Sequence, residues 1–164
     1  MNCLGVDPGV AIVGYGLVSE TDDGLRSTIY GSIKTGSKLT IGERLDRIYN
    51  TMLERINDLK PDFLAVERLF FGRNVTSAGN VYQARGVILL AAQHFGVSVV
   101  ELWPTQIKLS ICEKGHATKK EIQERVKNML SLEKIPRPDD TADALACAIT
   151  GITIIHEGVN YGMD

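Results

Sequence analysis

Four carboxylates stand where they could do chemistry. Asp7 ends a short apolar run before Pro8-Gly9, Glu67 ends the run Phe63 to Val66, and Asp140 and Asp143 follow Pro138 three residues apart. On a helix that spacing puts both aspartates on one face. Gathered together and buried, such groups would be driven towards protonation, whereas divalent cations let them stay ionised side by side. An all-oxygen donor set selects hard ions such as Mg²⁺ or Mn²⁺ over zinc or copper. Each residue also has an ordinary structural reading: Asp7 as a turn residue, Glu67 as a strand-end charge, Asp140 as a helix N-cap and Asp143 as a favourable charge in a first helical turn. Spacing alone leaves both readings open.

The elements that must position these residues are legible from periodicity. Leu4 and Val6, then Ile12 to Val18, then Leu25 to Thr35 read as three strands separated by the turn signals Asp7-Pro8-Gly9 and Asp22-Asp23-Gly24. From Ile41 to Leu59 the apolar residues recur at spacings of three and four until Pro61, which predicts an amphipathic helix. Phe63-Leu64-Ala65-Val66 fits a strand buried on both faces. A helix over 77–95, thin because of Ala78, Gly79, Ala84, Gly86 and Ala91, leads to a further strand, Val97 to Leu102. Pro104 opens a short helix, Thr118-Lys119-Lys120-Glu121 has the capping-box pattern of a helix running to about Leu132, and a last helix spans Asp139 to about Ile155. The fourth and fifth strands, joined by a helix, should be parallel, giving a mixed five-stranded sheet flanked by helices on both faces. If the parallel half adds beside the first strand, Asp7 and Glu67 meet at the carboxyl edge where ligands bind in open α/β sheets.

Composition narrows the alternatives. A chain of 164 residues, 44% apolar and 23% charged, suits one domain, expected over 1–156 with a short tail at 157–164. The apolar run 144–155 is too short for the roughly 20 residues of a membrane span. Without a basic, apolar leader, the chain is expected to stay in the cytoplasm. Cys3, Cys112 and Cys147 are few and far apart, which argues against a disulfide framework or a zinc knuckle. His94, His116 and His156 are scattered, no nucleophile elbow is present, and neither a phosphate-loop nor a dinucleotide fingerprint occurs. The net charge of −2 conceals a division: residues 103–137 are basic and 138–164 acidic. Such polarity suits a metal site beside a phosphate-binding surface.

Asp7-Pro8-Gly9 with Gly14-Tyr15-Gly16, Glu67 with Phe70-Phe71, Gln83-Ala84-Arg85-Gly86-Val87, and Asp140-Thr141-Ala142-Asp143-Ala144-Leu145-Ala146 occur in this order over nearly the whole chain. In these blocks the sequence resembles the RuvC family of Holliday junction resolvases. The resemblance implies a ribonuclease H-like fold, a homodimer, Mg²⁺ dependence and paired nicking of a four-way DNA junction. It also implies work in recombination and repair alongside the branch-migration proteins RuvA and RuvB. It gives Asp7, Glu67, Asp140 and Asp143 the role of metal ligands and catalytic residues, places Lys108 and Lys119 near the cleaved strand, and makes Phe70 the aromatic that stacks on a base at the junction centre. The sequence departs from the family's usual pattern at Cys112-Glu113, where a small residue and a glycine are common, and at Arg68, where an acidic or amide residue is common.

Phosphodiester hydrolysis on such a site calls for two metal ions with Asp7 between them, Glu67 and Asp143 on the flanks, and Asp140 completing the shell or acting on the water; the products are a 5′-phosphate and a 3′-hydroxyl. Lys108, Lys114, Lys119, Lys120, Arg125 and Lys127 are available to neutralise phosphates, with Arg125 and Lys127 better read as a solvated helix face. The thin helix 77–95 is a candidate dimer surface, since a two-fold pair sets two active sites against two strands. Two other readings compete: a related metal-dependent nuclease acting on structured RNA, and a non-catalytic junction-binding module, which would not need the carboxylates.

Overall fold

The computed structural model describes residues 1–69 and 75–158. Three strands, β1 (Asn2–Asp7), β2 (Ile12–Thr21) and β3 (Gly24–Lys34), form an antiparallel meander. They are followed by α1 (Ile41–Leu59), β4 (Phe63–Glu67), α2 (Val75–His94), β5 (Ser98–Leu102), α3 (Pro104–Cys112), α4 (Lys119–Met129) and α5 (Asp139–His156). The sheet order is β3-β2-β1-β4-β5, with β4 parallel to both β1 and β5. This is the expected mixed sheet, and β1 and β4 are neighbours. Several boundaries differ by one to three residues from the periodicity reading, α2 running over Val75–His94 and β5 starting at Ser98. Glu67 pairs with Leu102 and ends β4, as expected, whereas α4 stops at Met129, with Leu130 as its C-cap, rather than at about Leu132.

Strand alternation divides the core in two. Leu4 and Val6 of β1 and Leu64 and Val66 of β4 face α1 and α2, packing with Ile48, Met52, Ile56, Ala84, Ile88 and Ala91. Cys3, Phe63 and Ala65 face the other way, against α3, α4 and α5 through Ile111, Val126, Leu145, Ile149 and Ile152. Asp7 and Glu67 share the parity of Cys3 and Phe63, so both carboxylates leave the sheet on the α5 side. α1 begins at a Thr40–Glu43 capping box and buries Ile48, Met52 and Ile56 at spacings of four, one stripe of an amphipathic helix. α5 is buried on nearly every side, because the sheet lies on one flank and α3 and α4 on the other.

The seat of α5 on the sheet is set by missing side chains. A Cβ on Gly14 would overlap the Asp140 carbonyl, one on Gly5 would overlap the Ala144 carbonyl and come within 2.7 Å of the Ala148 nitrogen, and one on Gly16 would run into Leu145. Gly14 is also the register partner of Asp7. The first turn of α5 therefore rests directly on the strand pair that carries the first carboxylate. Gly14→Ala should push that turn away and lower the unfolding free energy by about 1–3 kcal/mol, measured by urea denaturation. An unchanged midpoint would show that α5 can shift without cost.

Candidate active site

Three elements deliver the carboxylates. Asp7 and Glu67 lie at the carboxyl ends of adjacent parallel strands, one step beyond the Val6–Val66 pair. Asp140 and Asp143 occupy the first turns of α5, held over β2 by the Gly14 contact and tied to β3 by the Thr141 hydroxyl, which donates to the Gly31 carbonyl at 3.2 Å. Pro138 is the N-cap of α5 and makes no side-chain cap, with Asp139 and Asp140 in the first turn. The N-cap alternative for Asp140 therefore fails. Lys108 of α3 and Lys119 at the start of α4 enter from the opposite wall, lining a cleft of about 250 Å³ with Glu67, Asp143, Pro104 and Ala146.

The electrostatics record the crowding. Burial, followed by repulsion from Asp143, Asp140 and Glu67, pushes the Asp7 carboxyl up to about 7, against a partial opposing pull from Lys119. Glu67 is raised by burial and by Asp143, with Lys108 opposing. Asp143 is raised by burial despite its bond to Lys119, whose Nζ lies 2.8 Å from Asp143 Oδ2 and 3.8 Å from Asp139 Oδ2. Burial works against the Lys119 ammonium, but Asp143, Asp139 and Asp7 together outweigh it and raise its pKa. Among the described residues no three Asp, Glu, His or Cys side chains close around a single point. Asp143, Asp140 and Glu67 are near enough to act on Asp7, and Glu67 and Asp143 line an open cleft rather than a finished cage. Their chemistry fits hard divalent cations: all-oxygen donors, partly desolvated, whose mutual repulsion a cation would relieve.

The remaining expected residues are less uniform. Lys114, Lys120 and Arg125 line a separate cavity of about 350 Å³ with Cys112 and Thr118, where Lys114 pairs with Glu121 at 3.8 Å. Arg125 donates to the Ile111 carbonyl at 3.2 Å, which joins α4 to α3. Phe70 and Phe71 lie outside the described residues. Sequence reasoning missed a cluster around Glu101, whose carboxylate meets Arg85 at 2.6 Å and Arg68 at 3.4 Å, and missed Trp103, over which the Arg68 guanidinium stacks at 4.7 Å. A charge inside an otherwise apolar strand was the available signal for Glu101, but its partners lie 33 and 16 positions away.

The family model for "Crossover junction endodeoxyribonuclease RuvC" matches residues 3–151. The chain belongs to the RuvC family. A Brevibacillus brevis crossover junction endodeoxyribonuclease RuvC is 49% identical over 92% of this chain and 90% of its own length. The Thermus thermophilus RuvC structure superposes with a TM-score of 0.89 at 35% identity, covering 96% of this chain and 97% of that one. A structure of T. thermophilus RuvC in complex with a Holliday junction substrate matches with a TM-score of 0.88 at 33% identity, over 96% and 97% of the two chains. The fold is thus ribonuclease H-like, as expected, and the chain is a member of a family of endodeoxyribonucleases. No helix among the described residues is long and apolar enough to cross a membrane.

The raised carboxyls make a prediction about metal-free protein. A carboxyl whose pKa is higher folded than unfolded contributes stability that is complete below its unfolded value, near 3.8 for Asp7, and is lost as pH rises through about 7. In a chelator, stability should therefore fall between about pH 4 and pH 7. Asp7→Asn should flatten that slope and be the more stable protein at pH 8 by about 2–4 kcal/mol, with little difference at pH 4, as read by denaturant titration. A destabilised Asp7→Asn at pH 8 would contradict the crowding.

Proposed function

We propose that this chain resolves four-way DNA junctions by paired, metal-dependent nicks that leave 5′-phosphate and 3′-hydroxyl ends. The observation that carries the reading is the meeting of Asp7, Glu67, Asp140 and Asp143 with Lys108 and Lys119 at the carboxyl edge of the sheet, in a chain of the RuvC family. The four carboxylates would hold two Mg²⁺ ions, with Mn²⁺ able to substitute, and Asp7 is suited to be shared because the other three all act on it. When bound, the ions supply an activated water and neutralise charge on the departing 3′ oxygen.

The chain's own groups do the rest. Lys119 shields Asp143 until substrate arrives, then faces the phosphate with Lys108, so the cleaved strand lies between an acidic floor and a basic wall. Phe70, three residues beyond Glu67, stacks on a base exposed at the crossover. Pairing of the nicks comes from a homodimer through α2. On that helix Gly79, Gln83, Gly86, Leu90 and Gln93 form one exposed stripe at alternating spacings of three and four, and a Cβ on Gly79 or Gly86 would meet open space. Such a stripe permits close approach of a second copy, consistent with a two-fold pair of sites. The family resemblance extends the partners to RuvA and RuvB and the setting to the cytoplasm, where junctions arise during recombination and repair.

Asp7→Asn, Glu67→Gln and Asp143→Asn should each reduce junction cleavage by more than about a hundredfold while leaving binding intact, assayed on a labelled four-way junction with Mg²⁺. Ca²⁺ should support binding with little cutting, because its looser coordination fails to hold water and phosphate in line. Cleavage that persists in chelator, or binding that fails along with cleavage in all three variants, would overturn the reading. Faster cleavage of an RNA duplex than of the junction would favour the RNA-processing alternative.

Phe70→Ala should slow resolution of closed junctions about tenfold and of junctions already opened at their centre much less, because stacking on an exposed base is worth about 1–3 kcal/mol. Equal losses on both substrates would remove the stacking role.

A further inference from the structure

The carboxyl ends of β1, β4 and β5 lie on one edge of the sheet, carrying Asp7, Glu67 and Leu102. Immediately beyond the carboxylate cleft, on the β5 side, stand Arg68 and Trp103. Backbone contacts fix both. The Arg68 N–H donates to the Leu102 carbonyl at 2.7 Å, and the Trp103 N–H donates to Gln106 Oε1 at 2.7 Å. Pro104, next to Trp103, lines the cleft itself. The guanidinium of Arg68 stacks over the indole at 4.7 Å, and both groups keep about a third of their surface exposed, 36% for the Arg68 side chain and 37% for Trp103.

The charge of this cluster is unbalanced. Among the described residues Glu101 is the carboxylate facing Arg68, and it is shared with Arg85, so two guanidinium groups meet one carboxylate. Arg85 takes the closer place at 2.6 Å and is only 14% exposed, whereas Arg68 Nε sits at 3.4 Å without hydrogen-bond geometry. Arg85 is thus the more buried cation, held closest to the shared carboxylate, and Arg68 is the outer cation, about as exposed as Glu101 itself. An exposed guanidinium braced on an indole, beside an acidic cleft and carrying surplus positive charge, suits a phosphate with an adjoining planar or sugar group.

We propose that Arg68 and Trp103 form a second nucleic-acid contact, which holds the cleaved strand where it leaves the cleft over the sheet edge towards α2. Arg68 takes a phosphate next to the scissile one, and Trp103 packs against the neighbouring nucleotide. Glu101 and Arg85 are positioning residues that hold the Arg68 plane. The inference rests on the reading of the chain as a junction-binding nuclease.

Trp103 is the single tryptophan of the chain, so its emission reports this place alone. The full-length protein would be titrated with a labelled four-way junction in Ca²⁺, reading anisotropy of the DNA and tryptophan emission together. The expected result is quenched emission and loss of acrylamide access at saturation. Trp103→Ala should weaken binding about tenfold, with Trp103→Phe recovering most of the loss. Arg68→Gln should lower the slope of log affinity against log salt by about one, a change that a purely structural role for Arg68 would not produce. Unchanged emission and quencher access at saturating junction, or an unaltered salt slope in Arg68→Gln, would overturn the inference while leaving the junction reading standing. A junction that does not bind at all would overturn both.

Discussion

The contact on which this structure depends is made of backbone. α5 lies so close to β1 and β2 that the strands carry Gly5, Gly14 and Gly16 beneath it, with the Asp140 and Ala144 carbonyls occupying the space where side chains on Gly14 and Gly5 would be. Close packing of this kind has little give, because a methyl group inserted there must displace a helix and not a flexible side chain. The inflexibility sets the relation between the two aspartates of α5 and the two carboxylates at the strand ends. It also explains an apolar helix buried nearly all round: a helix clamped between the sheet and α3 and α4 has almost no face left for water.

That placement works against stability. Burial and neighbouring carboxylates raise the proton affinity of Asp7, Glu67 and Asp143, and Asp7, on which Asp143, Asp140 and Glu67 all act, is pushed up to about 7. Lys119 and Lys108 relieve part of the strain from the facing wall. A cleft with an acidic floor and a basic wall has its repulsion partly offset by lysines and still has carboxylates whose remaining repulsion a cation would relieve. Outside the cleft the sign reverses at Arg68 and Arg85, where cations outnumber the carboxylate they share. Charge at the sheet edge thus alternates over short distances, and the overall −2 of the chain says nothing about it.

Much of the fold could be read because its signals are local. The stripe of α1, the two-faced β4, the capping box at Thr118 and the helix after Pro138 follow from residues within one or two turns of each other. The ends of elements were less legible. α4 was expected to run to about Leu132 and instead stops at Met129, with Leu130 as its C-cap, while Glu67 ends its strand as its position after the apolar run indicated. The ordinary reading of Asp140 as a cap was equally reasonable from the chain and was decided by where the helix starts: Pro138 takes the cap position.

The sequence by itself determined which residues are acidic, which elements carry them, and, through the order of its motif blocks, the family to which the chain belongs. These follow from residue type, periodicity and order along the chain. Only the tertiary structure decided that Asp7 and Glu67 leave the sheet on the same side as α5, that Lys119 faces Asp143 across the cleft, and that Arg68, Arg85, Glu101 and Trp103 form one cluster. The reason is that strand pairing and helix docking join residues tens of positions apart. Register and close approach, which no short stretch of sequence encodes, then set the distances at which charges act on one another.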